Sequence, residues 1–65
     1  MYETRKEAAD ACKYEAAAAE RFSTAAIRKA SEGQCNEAWR LADQARMAAR
    51  CAMQAHEALW ALVGE

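Results

Sequence analysis

Sixty-five residues with no proline and a net charge of -1 make one small domain at most, and they exclude a chain held on polyanions by its overall charge. Nineteen of the residues are alanine, so a hydrophobic fraction of 54% favours helix strongly and a self-sufficient core weakly. No apolar run approaches the roughly 18 residues of a membrane span.

The first predicted element is a helix from near Thr4 to near Ser31. Its apolar face centres on Ala8, Ala11, Cys12, Ala18, Ala19, Phe22 and Ala26, at the spacing of an amphipathic helix. Arg28 and Lys29 fall in its last turn, where cations complement the helix dipole. Ser31-Glu32-Gly33-Gln34-Cys35-Asn36 is the one credible break. Gly33 suits the left-handed position just past a helix C-terminus. Asn36 has the chemistry to cap the next helix, with Glu37 in its first turn. The turn is therefore placed at about 32–35 and the second helix at about 36–63.

A single helix running through Gly33 is excluded by periodicity. The apolar centres of the two halves differ by roughly 110° when the count is carried through the turn, whereas a continuous coiled-coil seam drifts by only about 20° per heptad. The chain turns back on itself.

In the second helix, Ala38, Leu41, Ala45, Ala48, Ala52, Ala55, Leu59 and Leu62 follow a strict three-four spacing, the a and d positions of a heptad. Beside this seam runs a second stripe of Trp39, Ala42, Ala49, Met53 and Trp60, interrupted by Arg46. Together the two cover more surface than one neighbouring helix needs. The pattern suits a helix with one partner inside the hairpin and another outside it.

Around the turn, Gly33-Gln34-Cys35-Asn36-Glu37-Ala38, followed by Ala42 and Ala45, resembles the turn and second helix of a tetratricopeptide repeat. Phe22, Ala25 and Ala26 stand where that repeat has its first-helix packing positions. The resemblance covers about a third of the chain and implies shared hairpin packing. Its large residues are mostly replaced by alanine, both helices run longer, and there is no second copy. Because such arrays need about three units to be stable, peptide binding in a repeat groove is not implied.

Few residues could carry chemistry. Glu15 falls in the middle of the first helix's apolar face, where an ionised carboxylate is rarely buried unpaired. One reading makes it a buried acid, a metal ligand or a partner-specifying polar group; the other lets it reach water at the rim of a shallow alanine seam. His56 is the sole histidine and sits at the edge of the second helix's seam. Glu15 leans toward its level, so the two form a candidate buried polar pair joined by a charge-assisted hydrogen bond. Trp39 and Trp60 are either interface anchors or plugs at the two ends of the hairpin. Arg40, Arg46 and Arg50 do not line one face tightly, and Asp43, Gln54 and Glu57 sit among them, as on a solvated mixed-charge face. Cys12, Cys35 and Cys51 show no metal-ligand spacing. Their odd count, with no apolar leader after Met1, points to free thiols in the cytoplasm.

The expectation is thus an all-α, alanine-rich, two-helix antiparallel hairpin that pairs into a dimeric four-helix bundle. Its role would be protein binding or scaffolding, with no catalysis, cofactor or metal. The expected interface takes in Ala38, Leu41, Ala45, Ala48, Ala52, Leu59, Leu62, Phe22, Trp39 and Trp60. Two alternatives stand beside it. One is a monomeric hairpin that docks on and inhibits or adapts a larger protein. The other is an RNA-binding bundle using Arg40, Arg46 and Arg50.

Overall fold

A computed structural model describes residues 4–63 as two helices packed against each other, α1 (Arg5–Ser31) and α2 (Cys35–Val63). Local chemistry sets the start of α1 and the turn between the helices. Thr4 is extended and caps α1: its hydroxyl oxygen accepts from the Glu7 backbone N–H at 3.1 Å. The same hydroxyl lies 3.1 Å from the Glu7 carboxylate, to which it donates. The hydroxyl thereby satisfies one backbone donor that the helix cannot reach itself, and the Glu7 carboxylate holds the hydroxyl in place.

The turn is built on Gly33, whose φ is +80°. Gly33 N–H donates to the Ala30 carbonyl at 3.0 Å and Gln34 N–H to the Lys29 carbonyl at 2.9 Å. These are the paired hydrogen bonds of a Schellman stop, which requires one residue in the left-handed region. Lys29 adds a clasp, its Nζ lying 3.8 Å from Glu32 and 3.5 Å from Glu37 across the turn. Asn36 is not the cap expected of it. The helix starts one residue earlier, and the Ala38 N–H already donates to the Gln34 carbonyl at 3.0 Å. Because the Schellman bonds end at Gln34, the next residue enters the helix at once.

Alanine dominates what lies between the helices, with half-buried Leu41, Leu59, Leu62, Phe22 and Cys12 beside it. The buried apolar residues are Ala8, Ala18, Ala45, Ala48 and Ala55, with Ala8 and Ala55 fully buried. Every residue of the three-four seam of α2 is buried or half-buried, and so is each apolar residue predicted on the inner face of α1. Small side chains let two helices approach toward the short end of the roughly 8–10 Å packing range. The closeness shows in one contact: the Cys12 Sγ lies 3.8 Å from the Ala52 backbone carbonyl of the opposite helix.

Such packing makes a rod. The molecule measures 49 × 14 × 13 Å with a radius of gyration of 14.4 Å, against about 11 Å for a compact domain of this length. Its accessible surface is 5141 Å², where a compact 7.2 kDa chain would expose about 4100 Å².

Candidate interaction surface

Burial divides α2 into two stripes, one residue out of phase. The inner stripe is the alanine seam just described, and its residues face α1. Cys35, Trp39, Ala42, Arg46, Ala49, Met53, His56, Trp60 and Val63 form the outer one, and all nine are exposed. Their spacing alternates four and three without a break from Cys35 to Val63, a heptad seam about 100° around the helix from the inner one. Trp39 and Trp60 are each 73% exposed and Met53 65%. Arg46, mid-stripe, is turned along the helix to Asp43, 2.7 Å away.

Elsewhere, large apolar side chains are also outside. Tyr14, Ile27 and Met47 are exposed, and among the described residues no large side chain is fully buried. Tyr14 and Met47 line an open groove on one flank of the hairpin, together with Phe22, Ala48 and Cys51. On the opposite flank a second groove is lined by Cys12, Ala16, Ala52, Met53, His56 and Glu57.

The structure sorts the predicted interface residues into two groups. Ala38, Leu41, Ala45, Ala48, Ala52, Leu59 and Leu62 pack inside the hairpin against α1. Ala45 and Ala48 are buried there and the other five half-buried, so this seam is the face that α2 turns to α1. Phe22 is half-buried at its edge. Trp39 and Trp60 remain outside. Neither plugs an end of the hairpin, because both sit on the outer stripe. Sequence reasoning saw that stripe only from Trp39 to Trp60. It missed Cys35 and Val63, which extend it at either end, and His56 within it. Continuing the four-three count in both directions would have found all three.

Glu15 and His56 are not brought together. Glu15 is half-buried and lines the flank shared with Tyr14 and Cys51, while exposed His56 lines the other. Their levels differ too. With Cys12 opposite Ala52, the antiparallel count puts Glu15 opposite Ala49, seven residues or about 10 Å short of His56. Among the described residues no hydrogen bond or ion pair joins them and no charged side chain is buried, which leaves Glu15 a carboxylate at the rim.

Cys12, Cys35 and Cys51 are free thiols. Among the described residues no three His, Cys, Asp or Glu side chains cluster to hold a metal ion, and no helix is long and apolar enough to cross a membrane. Compared with known proteins, the chain matches no family model, no curated protein and no solved structure. The likeness to a tetratricopeptide repeat therefore stays at the level of hairpin packing.

Proposed function

We propose that this hairpin is a self-associating protein-binding or scaffolding module, in which two copies complete one four-helix bundle. The observation that carries the reading is the inversion of its packing. Among the described residues the buried apolar side chains are five alanines, while seven large apolar ones are 53–73% exposed. At about 0.8 kcal/mol per buried methyl or methylene group, the five buried alanine methyls contribute roughly 4 kcal/mol; Leu41, Leu59, Leu62 and Phe22, only half-buried, add part of their side chains, a small core to set against the entropy of ordering the chain. The excess of accessible surface over that of a compact chain is roughly 1000 Å², comparable with the about 800 Å² that each partner buries in a standard interface.

Sedimentation equilibrium tests the reading directly. A mass of two chains, with a melting temperature that rises with protein concentration, is the expected result. A monomer mass with a concentration-independent melt overturns it.

A second reading, docking of one hairpin on a larger protein, draws support from the flank groove of Tyr14, Phe22 and Met47, which lies off the outer stripe. The role in either case is recognition without catalysis. An RNA-binding role draws less support, since Arg46 is already engaged by Asp43.

A further inference from the structure

We infer that the outer stripe of α2 pairs antiparallel with the same stripe of a second copy, about a twofold axis passing between Met47 and Ala48. This deepens, and rests on, the self-association reading by fixing surface, direction and register. The argument is one of fit. In an antiparallel heptad seam each a position faces a d position of its partner. The register centred between Met47 and Ala48 opposes Trp60 with Cys35, Met53 with Ala42 and Arg46 with Ala49. Large meets small in each of these layers, which is how facing positions fill space without voids. Trp39 meets His56, two flat rings that can stack. All eight side chains are exposed in the single hairpin, so the pairing needs no rearrangement of its core.

Charge selects the same arrangement. A parallel pairing would stack Arg46 on Arg46 and tryptophan on tryptophan. Antiparallel pairing displaced by one heptad one way sets Arg46 against His56, and the other way leaves Trp60 without an opposite. In the favoured register Arg46 lies against an alanine and stays on its own Asp43, at 2.7 Å. Arg50, which makes no ion pair among the described residues, lies on the same edge of the stripe as Asp43. Its level is two residues, about 3 Å, from that of the second copy's Asp43. The interface repeats this pair by symmetry.

The test uses two chains, each lacking the native thiols through Cys12→Ala, Cys35→Ser and Cys51→Ser. One chain carries Ala42→Cys and the other Met53→Cys, with one tagged so that their masses differ. Circular dichroism first checks that each remains helical. The chains are mixed and oxidised with glutathione disulfide, and sedimentation of the reduced mixture gives the oligomeric mass. The expected product is the mixed disulfide between residues 42 and 53, with neither chain cross-linking to itself. A dimer mass with self-linked products, or with no cross-link, overturns the register while leaving self-association intact. A monomer mass overturns both.

Discussion

The stop at Gly33 lends itself to a calculation, because backbone conformation is the sole cost of adding a side chain there. A Cβ built on Gly33 meets no atom within 4 Å, and the φ is +80°. For Gly33→Ala the left-handed conformation costs roughly 1–2 kcal/mol. The loss of glycine's freedom in the unfolded chain returns about 0.4–1 kcal/mol, so the net destabilisation is about 1 kcal/mol. In a domain this small that lowers the melting temperature by roughly 4–8 °C. Gly33→Val should cost about 2 kcal/mol, since a β-branched residue is a true outlier at positive φ, and Gly33→Asn less than alanine. Melts of the four proteins at one concentration test the order Gly, Asn, Ala, Val. A synthetic chain with D-alanine at position 33 should instead melt above the parent, because its stereochemistry favours positive φ. Equal melting points for L- and D-alanine would refute the reasoning, since a steric cost cannot ignore handedness.

Other expectations follow from the two stripes and the cap. Ala48→Arg, on the inner stripe, should unfold the hairpin, whereas Ala49→Arg, one residue on, should leave helicity intact and split the dimer; far-UV circular dichroism and sedimentation separate the two. Thr4→Ala should cost about 1 kcal/mol by removing the cap, measurable by urea titration. Glu15→Gln and His56→Ala should add within about 0.5 kcal/mol, as groups without a shared contact do; strong coupling in the double variant would restore the discarded pair. Under a thiol reagent Cys51 should react quickly and Cys12, held against the Ala52 carbonyl, slowly, while the rate at Cys35 falls as protein concentration rises.

Most of the fold was legible in the sequence because few features compete there. One glycine stands among residues that favour helix, and the apolar face changes direction across it, so the turn and both helix faces followed. The start of α2 did not, because Asn36 is a good cap by type while the Schellman bonds hand the chain over at Gln34. The candidate surface was legible only in part. Heptad counting weighs alanine and tryptophan alike, so the sequence carries two seams and nothing to say which faces inward. Close approach decides that: alanines admit the neighbouring backbone, and bulky Trp39, Met53 and Trp60 are left outside. The supposed meeting of Glu15 and His56 failed on level and on side, both set by the contact of Cys12 with Ala52, which no local pattern encodes.

The three-residue link between α1 and α2 has a kinetic side. Every pairing across the hairpin is one step farther from the turn than the pairing before it, so closing one sets up the next with little loop left to order. The chain can therefore close like a zip from Lys29 and Glu37 outward, and low contact order of this kind gives folding in microseconds to milliseconds. The cross-helix packing farthest from the turn, from Ala55 on to Leu59, is the last to form and the first to open. Amide exchange should accordingly be slowest near the turn side of each helix and quicken toward Thr4 and Val63, where the ends fray. A second copy laid antiparallel along α2 reverses that gradient for its neighbour, setting the slow end of one hairpin beside the fast end of the other.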